Sequence, residues 1–274
     1  MDDIVKSLSI PPRPMVVQQI QTEMGKADPD VRKAAHIVSQ DVGLTVAVLK
    51  TVNSPRYGLS RKAESVDQAV NLIGLKQLSA LVTAIALRSA LGGNSESLAD
   101  FYDQSSKRSF ALTRMARQLK NVDVQHAQTF GLFCDVAIPL LITRFPTYLD
   151  TLALAQSETA RNFTDIEHAY HRTDHALIGA IMARSWGLPH NVSLAIRLHH
   201  DYAIFLDPKV PREICALVAM GLLAEVAIHR HAMRDVSPEW AKGGDYVAGA
   251  LVLAQSDMEE LVNQLLEDFA AGVD

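Results

Sequence analysis

The sequence predicts an all-α fold. Apolar residues recur three and four positions apart through most of the chain, which is the spacing of one face of a helix. No stretch alternates apolar and polar residues over the length of a strand. Pro, Gly and capping residues separate the helical segments. With 48% hydrophobic and only 6% aromatic residues, the chain has the composition of a globular protein with an aliphatic core.

Local signals place the first helices. The run Asp28-Pro29-Asp30 predicts a helix that is capped by its first residue and has proline in its first turn. Asp41 is positioned to cap a second helix, and Asn53-Ser54-Pro55 ends it because the residue before a proline disfavours helical backbone. Ser65 and Gln68 have the spacing of a capping box, which predicts the start of a third helix.

The segment Gly92-Gly93-Asn94-Ser95 predicts a boundary between two lobes, because glycines and small polar residues interrupt helices. Before it, Gly74 breaks the apolar pattern, and residues 75–91 predict a helix that is apolar round much of its circumference and therefore buried. We expect one structural unit with three parts: an N-terminal lobe, a second lobe and a C-terminal helical segment, over residues 1–92, 93–235 and 236–274.

The C-terminal half predicts a succession of helices separated by Pro, Gly or capping residues. These cover residues 97–120, 127–145 (one or two helices), 147–157, 164–170, 174–186, 189–202 and 212–231. A last helix, over residues 246–269, carries a continuous apolar stripe. We expect this stripe to pack against the body of its own chain or to form a homodimer interface.

Charge and cysteine content limit the cellular compartments and the kinds of partner that we expect for this protein. The net charge of −5 argues against a surface built to neutralise phosphates, so nucleic acid is not the expected partner. Cys134 and Cys215 are the only cysteines, which fits a reducing compartment. The N-terminus lacks the features of a secretion signal, and the apolar stretch at residues 216–228 contains Glu225 and is too short to span a bilayer. We therefore expect a cytoplasmic protein without a membrane partner.

Three histidines are the first candidates for chemistry. His175 follows Asp174 near the start of a predicted helix, and His199 and His200 lie near the end of another. Neighbouring residues of a helix point about 100° apart, so His199 and His200 cannot both face one ion unless the helix ends there or two ions are present. The alternative is a hydrogen-bonded cluster in which carbonyls or carboxylates satisfy the imidazoles.

Cys134 and Asp135 are the second point of interest. A lone cysteine beside Phe133 and Val136 is typical of a small buried hydrophobic residue, although a thiolate can bind zinc. A carboxylate in the same apolar setting is unfavourable to bury without a partner. If Asp135 is buried, we expect a histidine, an arginine or a metal ion to contact it.

Several motifs resemble the HDOD family, the HD-related output domain branch of the HD superfamily of metal-dependent phosphohydrolases. They are the Pro-rich opening Ile10-Pro11-Pro12-Arg13-Pro14, Asp41 followed by a Leu-rich helix, Asn53-Ser54-Pro55-Arg56-Tyr57-Gly58, and the block from Ser65 to Gly74. The resemblance covers roughly residues 8–225. It implies a helical bundle with an N-terminal lobe packed on a degenerate HD-like lobe.

The resemblance also implies a metal centre that is short of ligands. Cys134 replaces the histidine of the His-Asp doublet, and Gln104 stands in place of the first histidine ligand. The terminal aspartate has no counterpart, since residues 216–223 contain no acid. The chain keeps the later residues of the family pattern, which are Glu167, His175, His199 and His200. The residual HD-like cleft is then made of Gln104, Cys134, Asp135, His175, His199 and His200.

A depleted ligand set argues against binuclear hydrolysis. The resemblance therefore implies a non-catalytic bacterial signal-transduction module that acts through a protein partner and has no expected cofactor. A divalent metal could bind only at Asp135, His175, His199 and His200. Two alternatives stay open: a metal-dependent phosphohydrolase with this reduced ligand set, and a nucleotide or anion sensor that uses Arg172, Arg197 and the histidines.

The motif loop has two interpretations of its own. Asn53 can hydrogen-bond neighbouring backbone while Gly58 takes a positive φ, which is a structural role. Alternatively, the loop made by Asn53, Ser54, Tyr57 and Gly58 contacts the histidine lobe.

Overall fold

The computed structural model describes residues 8, 10–59, 61–91, 98–119, 122–235 and 237–271. Within these residues every regular element is helical, which confirms the all-α prediction. The chain divides into two compact units, one of residues 11–97 and one of residues 98–272 together with 1–10. The predicted Gly92–Ser95 boundary lies outside the described residues.

The described residues of the unit 11–97 form five α-helices and one short 3-10 helix. They are α1 (Met15–Met24), α2 (Val31–Ser39), α3 (Val42–Val52), the 3-10 helix Pro55–Tyr57, α4 (Val66–Ile73) and α5 (Leu75–Ala90). The sequence patterns predicted α2, α3, α4 and α5, but neither α1 nor the 3-10 helix. Buried aliphatic side chains from these helices, among them Ile20, Val38, Val48 and Leu78, form one core cluster.

The helix starts in this unit follow local capping chemistry. Asp41 accepts a hydrogen bond from the Leu44 amide at 2.9 Å, as predicted. The predicted cap Asp28 is wrong: Asp30 accepts from the second and third amides of α2, and Pro29 therefore precedes the helix. Ser65 caps α4 through the Gln68 amide at 3.2 Å. Gly74, at φ +83°, lets the chain bend by 119° between α4 and α5.

The unit of residues 98–272 contains the remaining helices, which follow one another through short turns. They are α6 (Ala99–Leu119), α7 (Val124–Phe133), α8 (Ile138–Arg144), α9 (Tyr148–Ser157), α10 (Phe163–His171), α11 (His175–Ser185), α12 (His190–Leu198), the 3-10 helix Tyr202–Leu206, α13 (Arg212–His231), α14 (Pro238–Leu251) and α15 (Gln255–Ala270). Helix α13 packs against α6, α12, α14 and α15. Its side chains from Ile214 to Ile228 are mostly buried.

Two predicted helices are wrong in their extent. The continuous helix over 246–269 is α14 and α15, separated at Val252, which is left-handed at φ +57°. The Leu253 amide bonds back to the Ala248 carbonyl at 3.0 Å, and Asp257 then accepts from the Ala254 amide to start α15. The apolar stripe continues across this break, so periodicity alone hides it. The helix over 189–202 ends earlier, at Leu198.

Two segments of the described chain, Val124–Arg144 and Arg212–His231, are long and apolar enough to cross a membrane, and α4 with α5 would make a third if counted as one bent span. The expectation that residues 216–228 are too short is therefore wrong, because helix α13 runs for 20 residues. The fold buries 50% of the apolar 18-residue stretch in the first segment and 67% of that in the second, so packing accounts for much of their apolar character. The cytoplasmic localisation stays a prediction.

Candidate functional site

A close approach of α6 and α7 creates the site in the unit of residues 98–272. Gly131 on α7 lies so near α6 that an added Cβ would be 2.7 Å from the Ser109 Cα, a distance that no other residue could accept unless the backbones moved apart. Helix α7 ends two residues later, and Cys134 and Asp135 lie in the turn before α8. The contact therefore places this turn beside Arg108 of α6.

Arg108 is the side chain that meets Asp135. Its Nη1 atom lies 2.7 Å from Asp135 Oδ2 and donates to Cys134 Sγ at 3.0 Å, while Nη2 lies 3.7 Å from Glu225 Oε1 on α13. Burial opposes ionisation of Asp135, but the Arg108 charge, together with the adjacent His175 and His199 rings, holds the pKa of this carboxyl well below its usual range. Asp135 thus has arginine and histidine contacts, as the sequence led us to expect.

His175 is held by Glu167 at the start of α11. The Asp174 side chain accepts from the Leu177 amide at 2.7 Å and caps this helix. The fully buried His175 ring places Nδ1 2.7 Å from Glu167 Oε2, and the Tyr148 hydroxyl donates to the other oxygen of the same carboxylate. Burial lowers the pKa of His175, but the charges of Glu167 and Asp135 outweigh it and raise this pKa to about 10.

His199 and His200 both reach the site because α12 ends at Leu198. This satisfies the condition that the sequence set for two adjacent histidines. His199 Nδ1 lies 2.7 Å from the Ile196 carbonyl oxygen, and His200 Nδ1 lies 2.6 Å from Glu239 Oε2 on α14. Burial and the neighbouring His199 lower the pKa of His200 to about 3, so its ring is neutral.

The three imidazoles converge on Asp135. One ligand atom from each of Asp135, His175, His199 and His200 fits within 4.8 Å of the others. His175 Nε2 and His199 Nε2 are 3.2 Å apart, and each lies 3.4 Å from Asp135 Oδ1. Since each Nδ1 faces an acceptor, each neutral ring carries its proton there and presents a lone pair at Nε2.

This arrangement has the chemistry of a cation site. Three imidazole lone pairs and a carboxylate oxygen repel one another unless a proton or a metal ion lies between them. Histidines that ligate metals usually donate the second ring N–H to a carboxylate or a carbonyl, which fixes ring orientation, and these rings do so through Glu167, Ile196 and Glu239. The four residues that were predicted as possible metal ligands are therefore gathered in one place and fit a metal ion.

A pocket with an empty volume of about 330 Å³, open solvent included, adjoins the cluster. Its lining combines residues that the sequence singled out with others that it did not: Arg108, Phe130, Cys134, Asp135, His199, His200, Tyr202, Val218, Gly221, Leu222 and Glu225. Gln104 lies on α6, one helical turn before Arg108, and is neither in the pocket lining nor in the four-residue cluster.

Three residues of the site were missed as candidates: Arg108, Glu225 and Glu239. Glu225 is the only acid between Ala216 and Ile228, so the signal that drew attention to Asp135 could have found it too. Arg108 and Glu239 lie among ordinary polar residues of their helices, and no sequence pattern distinguishes them.

The motif loop lies in the other unit, and its polar groups hold the loop together. Asn53 Nδ2 donates to the Ala63 carbonyl at 2.9 Å, and Asn53 Oδ1 accepts from the Ala63 amide at 2.7 Å. The Ser54 hydroxyl donates to the Thr51 carbonyl, and Gly58 has φ +54°. Tyr57 ends the 3-10 helix that precedes this glycine. These contacts agree with the interpretation in which the loop residues have a structural role.

Comparison with known proteins decides the family. The model of the HDOD domain matches residues 10–202. The chain belongs to the HDOD family. The matched stretch contains Asp135 and the three histidines of the cluster, whereas Glu225 and Glu239, on α13 and α14, lie beyond it.

Similar proteins come from several bacteria. An uncharacterised protein of Treponema pallidum (strain Nichols) is 25% identical over 222 residues, which are 80% of this chain and 42% of that protein. The HDOD chain thus spans less than half the length of this relative.

Two solved structures share the HDOD fold. One, from Marinobacter aquaeolei VT8 and provisionally named a signal transduction protein, has a TM-score of 0.74 at 19% identity over 97% of this chain and 59% of its own. The other, from Shewanella amazonensis SB2B and provisionally named a phosphohydrolase, has a TM-score of 0.68 at 20% identity over 98% of this chain and 94% of its own.

Proposed function

We propose that this HDOD protein is a bacterial signal-transduction module that acts through a protein partner without hydrolysing a substrate, and that its histidine cluster binds one divalent cation. The observation that carries the metal-binding part is that one ligand atom from each of Asp135, His175, His199 and His200 lies within 4.8 Å of the others, with the Nε2 atoms of His175 and His199 3.2 Å apart. In the metal-free protein, a proton on His175 balances these lone pairs, and the cation replaces it.

The ligand set favours binding over hydrolysis. Catalytic zinc sites usually have three protein ligands and keep the fourth position for water, whereas four protein ligands complete a tetrahedral site. The cluster offers four. In addition, the Asp135 oxygen that faces away from the histidines is paired with Arg108, so it cannot hold a second ion as a two-metal hydrolase requires.

The signalling part of the proposal rests on the family and on the name of the Marinobacter protein. The phosphohydrolase alternative has the Shewanella protein's name and the solvent-open pocket in its favour. The anion-sensor alternative has less support, because Arg197 lies near Asp174 at 3.7 Å and neither it nor Arg172 lines the pocket.

Metal stoichiometry and turnover, measured on the full chain, test this function. After chelation and reloading with Mn²⁺, Fe²⁺ or Zn²⁺, elemental analysis and calorimetry should find one ion per chain. His175→Ala should bind none, while the exposed-histidine control His190→Ala should bind as the wild type does. A wild-type chain that binds no ion would overturn the metal-binding part.

Assays with phosphomonoesters, phosphodiesters and cyclic dinucleotides should give no turnover in any metal-loaded preparation. Turnover that disappears in Asp135→Ala would instead establish the phosphohydrolase. If the protein acts through a protein partner, affinity capture should recover the same bacterial protein with the wild type and with His190→Ala. The repurified complex should have a defined stoichiometry. A chain that remains alone in its own host's lysate would count against it.

A further inference from the structure

The Arg108 guanidinium lies among groups that bind metal ions. Its neighbours are a thiol sulfur at 3.0 Å, the Asp135 carboxylate at 2.7 Å and the Glu225 carboxylate at 3.7 Å. Sulfur and carboxylate oxygen are zinc ligands. Arg108 itself is only 6% exposed, so this is a buried positive charge within a cage of two acids and a cysteine.

Asp135 connects this cage to the histidine cluster. Its Oδ1 atom faces His175 and His199, while its Oδ2 atom faces Arg108. A carboxylate that places one oxygen on each of two cation positions has the geometry of a bridging ligand. One position is surrounded by imidazoles, and the guanidinium fills the other.

We propose that Arg108 occupies a second cation position, formed by Cys134, Asp135 and Glu225, and thereby limits the pocket to a single metal ion. The first position rests on the proposed function, but the second stands on its own contacts. Arginine suits this task because its charge is permanent and its planar fork bonds several acceptors at once. Unlike a metal ion, it has no coordination position at which water could be activated.

The proposal explains why Arg108 and two acids can be buried together. Breaking a buried ion pair leaves an uncompensated charge, which is strongly destabilising. Removing the guanidinium would leave Asp135 and Glu225 without the positive charge that both now face. A divalent cation would then replace the lost charge and use the same three side chains as ligands.

The test compares three substitutions of Arg108 in the full chain, each measured with Zn²⁺ and with Co²⁺. Arg108→Met removes the charge and keeps much of the volume. Arg108→Gln removes the charge but still donates a hydrogen bond to Asp135, so it decides the matter if the methionine variant does not fold. Arg108→Lys keeps the charge and is the control.

We expect the ion count per chain to double from one to two in the neutral variants and to stay at one in the wild type and in Arg108→Lys. The added Co²⁺ should show a thiolate-to-cobalt charge-transfer band, which Cys134→Ser removes and Cys215→Ser does not. The metal-dependent rise in Tm should be larger in the neutral variants than in the wild type, because the ion replaces a missing charge.

The outcomes separate this inference from the proposed function. A wild type and neutral variants that all bind one ion, with no thiolate band, would overturn the inference and leave the histidine site standing. A wild type without metal and neutral variants with one thiolate-bound ion would support the inference while the histidine site fails. If neither the wild type nor the neutral variants bind metal, both the proposed histidine site and this inference are wrong.

Discussion

The two units of this HDOD protein use their polar residues in opposite ways. In residues 11–97, both polar atoms of the Asn53 side chain, in the family motif, form hydrogen bonds with the Ala63 backbone. In residues 98–272, the histidines use one ring nitrogen for support and keep the other for the site. The most recognisable motif therefore stabilises a loop, and the capacity for chemistry lies where donor atoms are left over after the fold is satisfied.

Asp135→Ala should have the largest effect, because this carboxylate serves both Arg108 and the histidine cluster. We expect a loss of about 3–5 kcal/mol in the free energy of unfolding, the usual range for breaking a buried ion pair, together with loss of metal binding. Urea denaturation and calorimetry measure the two quantities.

The matched control is Asp103→Ala, which removes an exposed carboxylate paired with Lys107 at 2.8 Å on the same helix as Arg108. An exposed pair contributes about 0.5 kcal/mol. Equal losses in the two variants would mean that Arg108 is not balanced by Asp135.

Glu239→Ala tests whether a positioning residue beyond the family match controls the site. Glu239 Oε2 holds His200 Nδ1 at 2.6 Å and also accepts from the Tyr202 hydroxyl at 2.5 Å. Removing such a support typically lowers metal affinity by about 10- to 100-fold. We expect a loss of this size in calorimetry.

Glu239→Gln should recover part of this affinity, because its amide oxygen can still accept the imidazole proton. Glu259→Gln changes an exposed ion pair between Glu259 of α15 and Arg230 of α13, and it should leave metal affinity unchanged. A purely structural role for Glu239 would lower the Tm and leave the affinity of the folded protein as it was.

Asn53→Ala tests the motif loop in the unit of residues 11–97. It removes two hydrogen bonds to the Ala63 backbone, and we expect a loss of about 2 kcal/mol in the free energy of unfolding, at about 1 kcal/mol for each bond. If the loop is purely structural, metal affinity stays at the wild-type value.

Asn53→Asp keeps the acceptor and loses the donor, so its stability should fall between that of the wild type and that of the alanine variant. A clear drop in metal affinity in both Asn53 variants would favour the alternative interpretation, in which the loop contacts the histidine lobe.

Local chemistry explains which features could be predicted from sequence. The caps at Asp41 and Ser65 are decided within three residues, so their patterns suffice. Asp135 was identifiable because a carboxylate among apolar residues needs a partner. The two histidines became compatible with one site only because α12 ends at Leu198, an end that the predicted helix to residue 202 did not contain.

Other features depend on contacts between distant parts of the chain. Arg108 meets Asp135 because Gly131 lets α6 and α7 approach closely, and Glu239 reaches His200 from a helix that follows α13. Val252 takes a left-handed conformation that a valine does not favour, so nothing in its own neighbourhood predicts the break between α14 and α15. Tertiary packing decides these positions.

The smallest predicted effect is a pH dependence in the unit of residues 11–97. Hydrogen bonds from Lys26 and from the Asp30 amide, with Lys33 nearby, lower the pKa of Glu23 from 4.5 to about 2. Because the folded-state pKa lies below the unfolded one, the contribution of Glu23 to stability is fully present above pH 4.5 and is lost as pH falls towards 2. We expect the stability difference between the wild type and Glu23→Gln to shrink over this interval.

Denaturation of both chains between pH 6 and pH 2.5 measures this difference and cancels the titration of the other carboxyls that they share. The exposed Glu64→Gln is a suitable reference, since it changes the same side-chain type within the same unit. A difference that stays constant with pH would mean that Glu23 contributes through packing and hydrogen-bond geometry instead of through its charge. That result would leave Asp135 as the stronger example of a carboxylate whose ionised form the fold requires.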